Sequence, residues 1–384
     1  MRIAFFHNLP SGGAKRSAYE LLKRMASCHE VDLFIYDLAA EDFMDLRPLV
    51  RQTIVIPGGE TKNRRGLFRL ISYNRVCRAS QKMARLIDAG GYDLALVMQC
   101  RVSNSPIVLR SLKTRSLYYC QEPLAKVLEQ HARGSDGPSA FLKRGFLRWL
   151  IHMDRISARH ATLICANSLY SRESIYRAYG VYPRLNYLGV DTEQFRPLNL
   201  KRAPVILSVG ALHPAKGQDF ILRSLGEVGG RLSVKFIFNF AYGPDHYQNA
   251  LQELANRLGV VISFERLASD EALVTAYNQA AMTAYPSRLE PLGLVPLESM
   301  ACGTPVVGFA EGGVRETVQH GVTGLLTEND EKEFAGAIKR LIDDDRLREQ
   351  MGRNGRAWVA REWNWEKAYS KLEENMKRIY YSNS

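Results

Sequence analysis

The feature that most constrains this chain is a rhythm. Short apolar runs of four to six residues alternate with longer stretches whose apolar residues recur at helical spacing. In the first half the runs are Ile3 to Phe6, Val31 to Tyr36, Thr53 to Ile56, Leu94 to Met98, Leu117 to Cys120, Leu163 to Ala166 and Leu185 to Leu188. In the second half they are Val205 to Val209, Val234 to Phe238, Val260 to Phe264 and Met282 to Tyr285, with a further strand from Pro305. Strands that alternate with helices imply a parallel, doubly wound α/β sheet. At 384 residues there is chain enough for two such domains, each with its own core. The expected division is a first domain over 1–190, a polar, proline-punctuated linker over 191–204, and a second domain over 205–360. A C-terminal helix over 361–384 is expected to pack back on the first domain, with a cleft between the two domains.

In sheets of this kind ligands sit beyond the carboxyl ends of the strands, so residues just after a strand carry the functional signal. Ser11-Gly12-Gly13-Ala14 follows the first strand and opens a helix. In the second half, Val205 to Val209 runs into Gly210-Ala211-Leu212-His213-Pro214-Ala215-Lys216-Gly217, which places a lysine at a helix start. The richest stretch is Ser287 to Val307, S-R-L-E-P-L-G-L-V-P-L-E-S-M-A-C-G-T-P-V-V. Pro291 and Gly293 keep Glu290 in a loop, Leu294, Leu297, Met300 and Ala301 recur at helical spacing, and Gly303 stops the pattern. Pro296 falls in the first turn, where proline is tolerated. The amides of Gly293 and Leu294 then lie at a helix start, which favours an anion. Glu298 stands one turn beyond Leu294, where its carboxylate can take paired hydroxyls, and Glu290 reaches the other side of the anion. A nucleotide-sugar, a phosphate flanked by ribose and hexose, satisfies that arrangement.

The run E-P-L-G-L-V-P-L-E-S-M-A-C-G-T-P-V-V resembles the signature of the family-four retaining glycosyltransferases with the GT-B fold, two Rossmann-like doubly wound domains. The likeness spans nearly the whole chain and is strongest from Asn278 to Leu326. It implies a metal-independent transfer of a sugar from a nucleotide-sugar, UDP- or GDP-linked, to an acceptor, with no cofactor. By the same resemblance Glu290 holds the donor sugar, Glu298 the ribose and Lys216 the diphosphate. The Gly12–Gly13 loop and Gly210 approach the donor phosphates, and Arg266 and Leu267, in Phe264-Glu265-Arg266-Leu267, stand where the family cradles the base. Three positions depart from the family pattern. Leu292 replaces a more frequent Phe, Ala211 replaces an arginine that binds phosphate, and Gln121, in Tyr118-Tyr119-Cys120-Gln121-Glu122-Pro123, replaces a histidine. Glutamine cannot titrate, so Gln121 is expected to position rather than to exchange protons. With Ala211 in place, Lys216 and helix amides carry the phosphate alone, or His213 or Arg266 substitutes.

Charge narrows the partners. Of the net +12, residues 1–190 carry +14 and residues 191–384 carry −2, so the basic excess belongs to the first half and calls for an anionic partner there. It gathers in Thr61 to Ile87, with eight basic residues and no acid, and in Phe141 to His160. Both mix cations with an apolar stripe, as packing helices with solvated basic faces do, or as segments that meet anionic lipid. An anionic or lipid-linked acceptor, or an envelope polysaccharide, fits the same charge, whereas no motif supports nucleic acid. The run before His7 and Asn8 is too short for a signal peptide and no run is long enough to span a bilayer. The six scattered cysteines form neither a disulfide framework nor a zinc site. A cytoplasmic protein is expected, peripheral at the inner face of the plasma membrane if the basic segments dock there. No metal is implied, and Asp343-Asp344-Asp345 reads as a solvated turn. Two other readings stand beside the transferase: a nucleotide-sugar-binding protein without transferase activity, and a nucleotide-sugar epimerase on the same fold.

Overall fold

The computed structural model describes residues 1–37, 41, 43–58, 67–125, 140–228, 232–238 and 244–382. They divide into two compact units, Met1–Tyr187 with Ala368–Ser384, and Leu188–Lys367. The first contains β1 (Arg2–Asn8), α1 (Gly13–Cys28), β2 (Glu30–Tyr36), β3 (Gln52–Ile56), α2 (Leu67–Ala89), β4 (Leu94–Cys100), β5 (Ser116–Cys120), α3 (Ala140–Arg159), β6 (Leu163–Ala166), α4 (Leu169–Tyr179) and the two-residue β7 (Arg184–Leu185). The strands pair in parallel in the order β3-β2-β1-β4-β5-β6-β7. Sheet order therefore reverses between β1 and β4, the place where such sheets bind ligands. Because helices cover both faces, the strands are buried on both sides. Ile3, Ala4, Phe5 and Phe6 are consecutive and all essentially inaccessible, which is why the sequence shows continuous apolar runs rather than alternation.

The second unit repeats the plan. It runs β8 (Val205–Val209), α5 (Gln218–Val228), β9 (Ser233–Phe238), α6 (Pro244–Leu258), β10 (Val261–Arg266), α7 (Asp270–Gln279), β11 (Met282–Tyr285), α8 (Leu294–Ala301), β12 (Val306–Phe309), α9 (Val314–Thr317), β13 (Gly324–Thr327), α10 (Glu331–Asp343), α11 (Asp345–Glu362) and the start of α12 (Trp365–Tyr381). Its parallel order is β10-β9-β8-β11-β12-β13, with the reversal between β8 and β11. Side-chain caps fall where the sequence offers them: Ser168 accepts from Ser171 N at the head of α4, and Ser269 from Ala272 N at the head of α7.

Two boundaries differ from expectation. The stretch 191–204, expected as a linker, belongs to the second unit and is packed on it. Phe195 is buried edge-on against Tyr277, Leu198 N donates to Asn278 Oδ1 at 2.6 Å, and Arg202 donates to Thr304 Oγ1 and to the Ala280 and Gly303 carbonyls. Backbone groups that would otherwise need water are satisfied by neighbours of their own unit. The chain passes back to the first unit at Ala368, later than 361, and from there Leu372, Met376 and Ile379 are buried while Asn186 Nδ2 donates to Ala368 O. The expected strand Leu185 to Leu188 is also cut short at Leu185, since Asn186 directs its side chain to the C-terminal helix and Val190 N bonds to Trp363 O.

The basic segments are helices α2 and α3. Thr61 to Gly66 lies outside the described residues, as do the side chains of Leu67 to Ser72 and Ala140 to Arg144. The apolar stripe of α2 (Tyr73, Val76, Met83, Ala84, Ile87) is buried in the core of the first unit, and Trp149, Leu150 and Met153 of α3 pack against the same core. Tyr73 and Trp149 meet edge-to-face at 4.9 Å. These described apolar residues are thus used by the fold, while Leu86 of α2 stays exposed. Among the described residues, exposed cations line both helices: Arg75, Arg78, Lys82 and Arg85 along α2, and Arg148, Arg155 and Arg159 along α3. Among the described residues no helix is long and apolar enough to cross a membrane.

Candidate active site

The reversal point of the second sheet brings together what lies 74 residues apart in sequence. After β8 the chain makes a short turn, Pro214–Lys216, capped by His213, whose Nδ1 accepts from Ala215 N at 3.1 Å. That turn presents Lys216. After β11 the chain turns through Ser287 and Arg288 to Leu289, which takes a left-handed backbone (φ 52°). A leucine in that region carries a strain of about 1–3 kcal/mol and persists only where surroundings enforce it. Its effect is to deliver Glu290. Lys216 Nζ and Ser287 Oγ each donate to Glu290 Oε2 at 2.7 Å. Burial pushes the Glu290 carboxyl up, but Lys216, Ser287 and Tyr285 together outweigh it and hold the carboxyl below the usual range. The Lys216 and Glu290 side chains remain about one-third and one-fifth exposed.

Gly293 caps α8 with a left-handed backbone and no side chain occupies the cap. Leu294 opens the helix, and its first-turn amides form the polarised end that favours phosphate. One turn on, Glu298 is buried and accepts from Tyr277 OH at 3.1 Å. The loop Glu311-Gly312-Gly313, which leads into α9, closes over Glu290 from behind. Gly313 N donates to Glu290 O at 2.8 Å, and a Cβ at Gly313 would lie 2.3 Å from Pro291 O. No side chain fits there, so these glycines permit the backbone approach that braces Glu290.

The other named residues are placed as follows. Gly210 directly follows β8, where a Cβ would meet only Lys216 carbons at 3.9 Å, and the Ala211 carbonyl accepts from Gln218 Nε2 at 2.8 Å. His213 spends Nδ1 on shaping the turn. Arg266 is exposed at the carboxyl end of β10, the edge strand two places from β8, and Leu267 N bonds to Phe238 O beside it. The structure therefore gathers Lys216, Ser287 and Glu290 into one contact and sets Arg266 and Leu267 apart from it within the same sheet edge. Ser287, Leu289 and Tyr277 were not singled out from sequence. Their signal is weak, because a serine, a leucine and a tyrosine acquire meaning only through the turn geometry.

The first unit has its own ionic centre at the start of α1. Gly12 precedes the helix with φ 139°, and a Cβ there would meet nothing within 4 Å, so conformation and not crowding demands glycine. Behind this turn Lys15 Nζ donates to Glu41 Oε1 at 2.6 Å, and His7 Nε2 stands 3.1 Å from the same oxygen. Leu46 N donates to Glu41 Oε2. Lys15 and His7 are wholly inaccessible. Burial lowers the pKa of both, while the bonds from His7 and Lys15 overcome burial at Glu41 and hold it ionised. Gln121 follows β5 directly. Asp344 of the acidic triplet caps α11, accepting from Leu347 N, and Asp345 pairs with Arg348.

Comparison with known proteins covers both halves. The family model described as Glycosyltransferase Family 4 matches residues 11–194, and that described as Glycosyl transferases group 1 matches residues 190–358. A D-inositol 3-phosphate glycosyltransferase of Thermomonospora curvata is 30% identical over 316 residues, 75% of this chain and 72% of that protein. A GDP-mannose-dependent alpha-(1-6)-phosphatidylinositol monomannoside mannosyltransferase of Mycolicibacterium smegmatis is 33% identical over 237 residues, 56% of this chain and 62% of that one. The match spans about three-fifths of the length of the mannosyltransferases of this kind. Among solved structures, a sucrose-phosphate synthase of Thermosynechococcus elongatus superimposes with a TM-score of 0.81 at 20% identity, covering 99% of both chains. Anabaena HepE in complex with UDP and glucose gives 0.75 at 20%, covering 98% of this chain and 99% of that one. Two like-ordered parallel sheets, matches to both halves of the family and a relative aligned over most of the chain lead to one assignment: this protein belongs to the family-4 glycosyltransferases of GT-B fold.

Proposed function

We propose that this chain transfers a hexose from a nucleotide-sugar to a hydroxyl of a lipid-linked or glycan acceptor, with retention at the anomeric carbon and without a metal. The observation that carries the donor half is the Lys216–Ser287–Glu290 contact beside the uncapped start of α8, with Glu298 buried one turn along. A diphosphate draws Lys216 from Glu290 and lies against the α8 amides, Glu290 is released to take sugar hydroxyls, and Glu298 takes the ribose diol. The names of the relatives support a nucleotide-sugar donor, GDP-mannose among them, and acceptors built on inositol. In the transfer the bond from C1 to the departing phosphate oxygen breaks as that from C1 to the acceptor oxygen forms on the same face. The departing phosphate takes the acceptor's proton, so no titrating group is needed at Gln121. Positive charge at Lys216 and the helix amides stabilises the leaving group electrostatically.

The exposed basic rows of α2 and α3 support a second element of the reading, attachment to an anionic membrane surface where the acceptor resides. Each cation near such a surface contributes about 1 kcal/mol, falling off within a Debye length. Since the described apolar residues Tyr73, Val76, Met83, Ala84 and Ile87 are spent on the core, the exposed cations would carry the attachment, and vesicles of anionic lipid should release the protein as salt rises.

The test of the donor site is a thermal-shift panel of GDP-, UDP-, ADP- and dTDP-sugars on the wild type and on Glu298→Ala. A ligand at a hundredfold its Kd stabilises by about 2.7 kcal/mol, a shift of several degrees. One base class should shift the wild type and the variant should lose most of that shift. Binding without turnover against any acceptor would leave a nucleotide-sugar-binding protein, the reading to which Ala211 lends itself. Scrambling of the donor sugar without acceptor would indicate an epimerase.

A further inference from the structure

The two edges of the second sheet end differently. At one edge, β13 is closed by the turn before it: Leu326 N donates to His320 Nδ1 at 3.0 Å, and Gly321 N donates to Gly324 O at 2.8 Å. At the other lies β10, six residues paired in parallel with β9 alone. Val261 N bonds to Leu232 O and Leu267 N to Phe238 O, so the odd-numbered residues turn their backbone groups toward β9. A strand alternates, and the N–H and C=O of Ile262, Phe264 and Arg266 therefore point away from the sheet. Among the described residues they meet no partner there. Val261 is 56% exposed, and Ser263 and Arg266 are exposed as well, so the strand lies open to solvent.

An edge of this length without a proline, a bulge or a cover is a template for another strand. Its sequence, Val261-Ile262-Ser263-Phe264-Glu265-Arg266, complements itself when run antiparallel. When two copies meet about a two-fold axis at Phe264, Ile262 faces Arg266 of the second copy and Phe264 faces its counterpart. Every outward amide and carbonyl of both strands is then paired. Ser263 stands opposite Glu265 of the second copy, a hydroxyl against a carboxylate, and no like charges meet. Other registers do worse. Centred on Glu265, the two glutamates face each other, which is unfavourable. Centred on Ser263, Arg266 faces Val260, whose amide is already given to Ala255 O. Phe264 also stacks on Phe236 of β9 with ring centres 5.5 Å apart, so the Phe264 register carries an aromatic row across the seam, a favourable cross-strand arrangement.

We propose that β10 is a dimerisation edge, at which a second copy of this chain adds its own β10 antiparallel about Phe264 and joins the two second-unit sheets into one. The interface is isologous, with the same residues on both sides. It stands independently of the transferase reading. A single strand is a small seam, at the low end of specific interfaces, so association is expected at micromolar concentrations and above.

The test is sedimentation velocity of the full chain over a concentration series, with amide hydrogen exchange at low and high concentration. A monomer–dimer equilibrium should appear, and exchange at Ile262, Phe264 and Arg266 should slow as concentration rises. Ser263 is exposed, so charge can be placed there without entering the core. Ser263→Glu sets a carboxylate against Glu265 of the second copy and should weaken the dimer about twofold to thirtyfold, the size of two cross-strand charge pairs. Ser263→Lys should tighten it by a similar factor, with Tm of the monomer kept in both variants. Phe264→Pro deletes an outward N–H that β9 does not use and should leave a monomer; the Ser263 pair decides the matter if the proline variant does not fold. A chain that stays monomeric at high micromolar concentration would overturn the proposal. So would a dimer indifferent to charge at Ser263, a dimer weakened by both Ser263 variants, or slowed exchange confined to other segments.

Discussion

The two units solve the same problem in opposite ways. Each follows the first strand of its sheet with a glycine-containing turn and pairs a lysine near that turn with a glutamate from another loop, Lys15 with Glu41 at 2.6 Å and Lys216 with Glu290 at 2.7 Å. The contacts are alike in length, yet Lys15 is wholly enclosed while Lys216 is one-third exposed. An enclosed pair cannot exchange partners without leaving a bare charge in the interior, which makes it a lock on the α1 turn. A half-open pair contributes at most about 1 kcal/mol to stability and can surrender its lysine to a stronger anion. Identical chemistry is thus enclosed in one unit and open to solvent in the other, and burial makes the difference.

Breaking each pair should expose that contrast. Glu41→Ala leaves Lys15 buried without its counter-charge and should cost about 3–5 kcal/mol of stability, seen in a denaturant titration as an early transition confined to probes in the first unit. A midpoint indistinguishable from wild type would show that the pair is not a lock. Lys216→Ala should change stability by less than about 1 kcal/mol while lowering turnover about 10²- to 10³-fold, as loss of a preorganised group stabilising transition-state charge does. A large drop in stability with little change in turnover would reverse the assignment. Glu298→Gln, which keeps shape and removes charge, should weaken donor binding by about 1.5–3 kcal/mol, measured by calorimetry, with Tm nearly unchanged.

The smallest effect is in pH. Burial holds His7 and His29, both in the first unit, below their ordinary 6.5. Their contribution is complete above pH 6.5 and is lost as pH falls below it, because the unfolded chain takes up protons that the folded chain resists. The depressed carboxylates follow lower down. Glu41 and Glu290 lose theirs below 4.5. Asp32, which burial would raise, is bound by Arg51, Tyr92 and Gln52 and held at about 2, so its share goes between 3.8 and about 2. Hydrogen exchange at pH 5.5 against 7.5 should therefore show faster opening in the first unit, with the second unit changed less. Equal loosening of both would remove burial of His7 as the cause.

Some of the site was readable before any coordinates. The helix start at Leu294, Pro296 inside its first turn and Gly303 just past its end are local signals, set by interactions three or four residues apart, and they appear where expected. Glu290 and Glu298 were legible because they flank those signals. Leu289's left-handed turn was not, since nothing in the residue type favours it and the brace from Gly312 and Gly313 arrives from a distant loop. The basic helices were half legible: charge and stripe were plain, but only packing showed that Tyr73, Val76, Met83, Ala84 and Ile87 belong to the core.

By itself, then, the sequence determined the alternation of strands and helices, the two parallel sheets, the family and the places of Glu290 and Glu298 about the start of α8, since each follows from local periodicity or a contiguous motif. The tertiary structure alone decided which lysine is enclosed and which is open, and that Ser287 and Tyr277 donate to the glutamates. Those facts depend on strand order and burial, which join residues far apart in the chain, and spacing along a sequence carries no record of either.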